Sequence, residues 1–372
     1  MSAAPDAGRA GWMEWLERRL ALGELFSFLT HFGVVPVAVD PSRPLPDTLA
    51  DLKTRPVPRL VAWPWVLGPL AAVLFALEVV TGVLLAYYYE PTPESAWTSV
   101  RTIVRDLPLG GLFHQLHVWG AYALTGVIAL RLVRLFWDGA WRAPREVAWW
   151  SAVALAWLCL QSDFTGRLLV WDAESYWTVV RGMEVVFALP VVGPVLAFLL
   201  GGHTVSDDVL IRFYVLHLMV LPVAIAAGLY VTFATLRRLG PTPARGRAAP
   251  TTSWRDHLFA MTNLTLLAFA ALVTLAVLAP WRFLEAADPY ATPAGARPPW
   301  YMLAPWLLFD RLPMPAWIPG LVLLAIAFGV LLLPLWLRPK DAAGERRARA
   351  AGLALVGLWL ALTVTGAVLG GR

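Results

Sequence analysis

Cysteine is almost absent: Cys159, inside AWLCLQSD, stands alone among 372 residues. A lone cysteine excludes an internal disulfide, a cysteine zinc site, an iron–sulfur cluster and a CxxCH haem attachment. It reads as packing, because an unpaired thiol behaves as a small hydrophobe. Charge is scarce as well. Lys, Arg, Asp and Glu together make 15% of the chain and hydrophobic residues 59%, whereas soluble domains carry roughly 25% charged residues. A mean hydropathy of +0.63 points the same way. The opening MSAAPDAGRAGWMEWLERRL lacks an apolar stretch followed by a cleavage site, so no secretory signal is expected. The net charge of +5 implies no nucleic-acid partner, because the arginines gather in loops between apolar runs.

What the chain has is hydrophobic length. Seven runs are long enough to cross a bilayer, over about Leu60–Tyr88, Leu112–Trp137, Val147–Trp171, Leu210–Leu236, Leu258–Trp281, Trp317–Leu337 and Gly352–Leu369. The fold class is therefore an all-α polytopic membrane protein with seven transmembrane helices. Arg142 and Arg145 follow span two. Arg237, Arg238, Arg245, Arg247 and Arg255 follow span four. Arg338, Lys340, Arg346, Arg347 and Arg349 follow span six, and Arg18, Arg19, Arg43, Lys53, Arg55 and Arg59 precede span one. With seven spans these share one side, which the positive-inside rule makes the cytoplasm. The expectation is a bacterial plasma-membrane protein with its N-terminus cytoplasmic and its C-terminus outside. WMEWLERRLALGELFSFLTHF reads as an amphipathic interfacial helix, for membrane association or for docking a partner. SYWTVVRGMEVVFALPVVG is too short and polar to cross and is expected to lie along the outer surface. LEAADPYATPAGARPPWYMLAPW must rest on protein or at the interface.

Two histidines stand inside these runs at matching depth, His117 about two turns into span two and His217 about two turns into span four. An ionisable group within a span is costly and is a functional candidate by default. Facing histidines on neighbouring helices can clamp a metal, and bis-histidine haem iron suits a chain with one cysteine. Close approach of a porphyrin to a helix needs glycine. Gly82 on span one and Gly166 on span three lie at the histidine level; helix–helix packing is the alternative use of such glycines. Fourteen residues away along the same helices stand Gly68, Arg131 and Ala152, with Thr232 at the corresponding place on span four.

These residues and several motifs carry a resemblance. VVTGVLLAYYYEPTPESAWTSV, GGLFHQLHVWGA, TGRLLVWDAESYW, ALPVVG, GGHTVSDDVLIRFYVLHLMVLP, ADPYATP and PPWY occur in an order that resembles cytochrome b of the cytochrome bc complexes. The chain looks closest to the chloroplast-like form, with its four-helix and three-helix parts fused. The resemblance implies an N-terminal interfacial segment over 1–59, a haem-binding four-helix domain over 60–240 and a three-helix domain over 250–372. It implies haem b ligated by His117 and His217, packed by Gly82 and Gly166, with Arg212 near its propionates. The family's second haem would need histidines where Arg131 and Thr232 stand, and arginine cannot donate a lone pair to iron. One b haem is therefore expected, not two. Val66 stands where the chloroplast-like form tethers a further haem through cysteine, so that haem is not expected either.

Two further departures bear on function. The family's quinol-pocket motif PEWY reads Pro298, Pro299, Trp300, Tyr301, and proline accepts no proton. The family arginine one turn before the first ligand is His114, which is open to three readings: propionate partner, proton carrier or alternative ligand. Glu78 and Asp163 lie one turn inward of the two glycines. Either they replace the lost glutamate as proton acceptor or they form structural pairs. Arg131 either snorkels to the surface or fills vacated space. The resemblance implies quinol oxidation at an outer pocket by a subunit with no iron–sulfur centre of its own. Its partners would be a Rieske-type iron–sulfur protein or a c-type cytochrome, membrane quinone and, as in the family, a second copy in a homodimer. The alternative is a degenerate paralogue serving as a scaffold in a respiratory assembly.

Overall fold

The computed structural model describes residues 22–30, 36–244, 246–292, 298–311, 314–315, 317–337 and 341–369. Most of the expected interfacial N-terminal helix lies outside the described residues, as do Arg18, Arg19, Arg245, Arg338 and Lys340. Within them the chain is all-α. Short helices α1 (Leu22–Thr30) and α2 (Leu45–Thr54) come first, and a two-residue strand β1 (Val57–Pro58) follows.

Among the described residues six helices are long and apolar enough to cross a membrane. They are α3 (Leu67–Ala86), α5 (Gly110–Trp137), α6 (Glu146–Val170), α9 (Asp207–Leu239), α10 (Trp254–Leu278) and α14 (Ala342–Leu369). The sixth expected crossing is broken. Helix α12 (Trp317–Leu331) stops before the short α13 (Leu333–Trp336). Pro334 is the cause, since it has no N–H to continue the ladder and its ring crowds the carbonyl four residues back. The first span begins at Leu67 rather than near Leu60, behind Pro64. The last begins at Ala342, well ahead of the apolar run, because AAGERRARA favours helix and pairs Glu345 with Arg349 one turn on. Large apolar side chains such as Val83, Phe259, Leu267, Leu355 and Val364 are exposed along these spans. Lipid is the solvent that makes such a surface stable.

Three amphipathic helices fill the loops. Helix α4 (Ala96–Arg105), which hydropathy does not announce, buries Ala96, Val100 and Ile103, one helical stripe. The segment expected along the surface is two helices, α7 (Ala173–Phe187) and α8 (Val192–Leu200). The turn between them holds Pro190 and places Val191 at φ +65°.

The chain folds as two compact units. The first gathers Met1–Phe75, Gly126–Leu155 and Ala226–Ala271. In it β1 pairs antiparallel with β2 (Thr251–Thr252), and Leu52 packs on Trp254. The second gathers Ala76–Thr125, Ala156–Ile225 and Leu272–Arg372. Its core joins Ala96, Leu168, Trp171, Tyr176, Val179, Met183, Leu210 and Phe213. The buried carboxylate of Asp172 caps α7 by accepting Ser175 N–H at 2.9 Å. Ala173 N–H reaches Glu285 O and Ala287 N–H reaches Trp171 O, both at 3.0 Å. These bonds fasten the start of α7 to the loop after α10. Helix α11 (Leu303–Arg311) packs against α14, where Gly366 lets the helix approach the Leu303 carbonyl.

Candidate functional site

The second unit brings His117 and His217 together. Their ring centroids lie 6.1 Å apart with the planes at 84°. A metal between two imidazoles, with bonds of about 2 Å to each nitrogen, would separate the centroids by roughly 6 Å. Both rings are already oriented through Nδ1. Nδ1 of His217 donates to Ser162 O at 2.9 Å. The Thr81 hydroxyl is 2.9 Å from Nδ1 of His117 and donates its own proton to Leu77 O, so it accepts the Nδ1–H. Both Nε2 lone pairs are thereby left for a metal, the arrangement in which a second hydrogen bond fixes tautomer and aim.

The local backbone explains this aim. On α9 the helix opens into a π turn over Leu216–Val220, with Leu221 N–H bonding Leu216 O. Pro222 follows at once and lacks the N–H that Leu218 O needs in an α-helix. The π turn accommodates that loss, and His217 sits in it; such bulges recur at functional sites.

The two glycines stand against the histidines. A Cβ on Gly82 would meet His117 Cε1 at 3.1 Å, and one on Gly166 would meet His217 Cε1 at 2.5 Å. Each glycine follows a threonine that bonds back to its own helix, Thr81 to Leu77 O and Thr165 to Gln161 O at 2.8 and 2.9 Å. Thr165 Oγ1 lies 3.5 Å from Nδ1 of His217. The repeated Thr-Gly pair on spans one and three is the signal in the sequence for these anchoring hydroxyls, and attention to glycine alone misses it.

Acidic groups complete the unit. Glu78 Oε2 is 3.1 Å from Nδ1 of His117, and Glu78 Oε1 is buried with no hydrogen-bond partner among the described residues. Asp163 is elsewhere engaged: Oδ2 takes Nε of Arg167 at 2.9 Å and the Tyr301 hydroxyl. Arg167 also donates to the Tyr122 hydroxyl. The two carboxylates therefore have separate partners rather than each other. Tyr301 is buried, Trp300 is half-exposed, and burial, with the Asp163 carboxylate next, pushes the Tyr301 phenol above its ordinary value. Arg167 and Tyr122 are additions to the expected site; Arg167 follows Asp163 by one helical turn, which is the clue the sequence offers.

Two expected contributors hold unpaired atoms. Among the described residues Nδ1 of the buried His114 has no partner, and neither does Nη1 of Arg212, which lies beside Gly201. Among the described residues no group of three or more His, Cys, Asp or Glu side chains is placed to hold a bare ion. Two opposed imidazoles, glycine on both sides and unspent buried donors suit a metal carried in a planar macrocycle with acidic side arms. Of the residues at the other level, Thr232 donates to Ser151 Oγ at 3.2 Å, and Arg131 reaches to within 3.9 Å of a Cβ on Gly68.

Several known proteins are similar to this chain. Cytochrome b6 of Heliobacterium mobile is 34% identical over 230 residues, 61% of this chain and 98% of that protein. Cytochrome b6 of Heliobacterium modesticaldum is 37% identical over 192 residues, 51% of this chain and 90% of its own. A solved chain described as hyperthermophilic respiratory Complex III superposes with a TM-score of 0.73 at 21% identity, covering 95% of this chain and 91% of that one, and so shares its fold. The family profile described as Cytochrome b/b6/petB matches residues 52–240, the stretch that holds both histidines and both glycines. The chain belongs to the cytochrome b/b6 family.

Proposed function

We propose that this protein is the membrane electron-transfer subunit of a bc-type respiratory complex, holding one b haem between His117 and His217 near the outer face. The observation that carries the reading is the 6.1 Å pairing of two imidazoles whose Nδ1 atoms are already bonded. Bound there, haem accepts and returns single electrons. The chain's own residues do the rest. Thr81 and Ser162 hold the imidazoles in one tautomer. Gly82 and Gly166 leave room for a flat group against spans one and three. Arg212 and His114 offer unspent donors to carboxylate arms.

Quinol oxidation releases two electrons and two protons. The Tyr301 contact to Asp163 supports placing the quinol beside the Trp300–Tyr301 segment. Asp163, tied to that segment, is the proton acceptor in place of the glutamate that Pro299 displaces, and Arg167 holds its carboxylate in place. Glu78, beside His117, is the second acceptor. The second electron passes to a Rieske-type iron–sulfur protein or c-type cytochrome. Arg131 and Thr232 provide no imidazole for an inner haem, so electrons are not relayed across the bilayer by a haem pair.

Rapid mixing of a short-chain quinol with membranes containing the assembled complex tests this. Haem b reduction should be fast in the parent and at least tenfold slower in Asp163→Asn. Equal rates would remove Asp163 from the pathway, and no quinol-dependent reduction at all would favour a scaffold.

A further inference from the structure

The first unit contains a cavity that the proposed haem chemistry does not use. Its volume is about 60 Å³. A water needs about 10–15 Å³ by the same measure, so the space takes a group of roughly phosphate size. Arg131, Arg134 and Arg145 line it, and no acidic residue does.

The three guanidiniums are unequally satisfied. Arg134 pairs with Asp138 at 2.8 Å and donates to Thr242 O. Arg145 donates to Gly240 O at 2.9 Å and Leu239 O at 2.8 Å, neutral carbonyls, and pairs with no carboxylate among the described residues. Arg131 lies inside span two, lines the cavity and has no ion pair among the described residues. An unpaired cation within a span is costly and persists where a ligand or a partner answers it. Arginine forks match phosphate oxygens in two-point hydrogen bonds.

The remaining walls say what carries the phosphate. Leu60, Leu67, Leu135, Phe233 and Leu236 make an apolar side, and the Trp65 indole donates to Thr242 O at 2.8 Å. Arg145 just precedes α6, Gly240 just follows α9, and Trp65 just precedes α3. The cavity therefore lies at a ring of helix ends, the headgroup level of a bilayer, where basic pockets between spans take anionic lipid headgroups. The geometry points to a binding site for a phosphate-bearing anion, the headgroup of an acidic lipid that meets Arg131 and Arg145.

Native mass spectrometry of the detergent-purified chain tests this, with phosphatidylglycerol, phosphatidylcholine and inorganic phosphate as separate probes. One phosphatidylglycerol should stay bound to the parent at concentrations where phosphatidylcholine does not. Arg131→Gln should weaken that adduct at least tenfold, and Arg131→Lys, which keeps charge but loses the fork, by less. Arg145→Gln supplies a second variant should Arg131→Gln elute as aggregate. Retention of inorganic phosphate in an Arg131-dependent way, without a lipid adduct, would support the anion site and assign it to a soluble source. Equal phosphatidylglycerol adducts in the parent and both glutamine variants would overturn the site, as would a second haem retained in that space. The readout is adduct mass, so it stands or falls separately from the His117–His217 assignment.

Discussion

The hydroxyl of Thr81 accepts the Nδ1–H of His117 at 2.9 Å and donates a hydrogen bond to Leu77 O. A side chain one position before a glycine thereby sets which nitrogen of a transmembrane histidine faces its neighbour. Supporting bonds of this kind are worth about ten- to a hundredfold in metal-site affinity, so Thr81→Val should lower haem retention by a factor in that range. Haem titration of the apoprotein, followed by absorbance, measures it.

The two glycines should not be equally sensitive. A methyl at Gly166 would press on His217 Cε1 at 2.5 Å, whereas one at Gly82 would stand 3.1 Å from His117 Cε1. Overpacking typically costs about 1–3 kcal/mol. Gly166→Ala should lose more haem than Gly82→Ala, and the haem-to-protein ratio of the two purified variants decides it.

Tyr301 gives a prediction with a pH sign. Burial raises its phenol above the ordinary value, so the folded state keeps a proton that the unfolded chain loses near about pH 10. Its contribution to stability is complete below that pH and declines only as pH rises above it. Across a working range of about pH 6 to 9 it is thus a constant hydrogen-bond donor to Asp163. Tyr301→Phe removes that donor and should lower quinol oxidation throughout that range. A pH–rate profile of the variant checks this.

Much of the site is legible in the sequence because membrane spans leave few polar residues to choose among. His117, His217, Gly82 and Gly166 stand out as exceptions in apolar runs, and the structure places all four together. Glu78 and Asp163 stand out for the same reason, but their partners do not. The ion pair of Asp163 lies one turn along its own helix, while its Tyr301 contact crosses 138 residues, a separation no local pattern spans. The π turn at His217 is hidden because Pro222 looks tolerable in a membrane helix, and only the unsatisfied carbonyl reveals its effect. The break at Leu332 is hidden because hydropathy counts Pro334 among apolar neighbours and says nothing of its absent N–H. Helix α4 escapes a hydropathy reading because its apolar and polar residues balance, and its buried stripe of Ala96, Val100 and Ile103 shows only when the helical period is sought.

Pro222 should be more than tolerated. Pro222→Ala restores an N–H for Leu218 O and removes the reason for the π turn, letting the helix close regularly and turn His217 away from His117. The variant should fold at least as stably yet bind haem poorly, a combination that thermal unfolding and absorbance spectra read on one sample.

One b haem held between His117 and His217 can be counted directly. The most direct measurement is the haem-to-protein ratio of the purified chain with its reduced-minus-oxidised spectrum, repeated on His117→Ala and His217→Ala. The parent should carry one b haem per chain, and each variant should lose the signal. A ratio of two or of zero, or a signal that survives both substitutions, would contradict it.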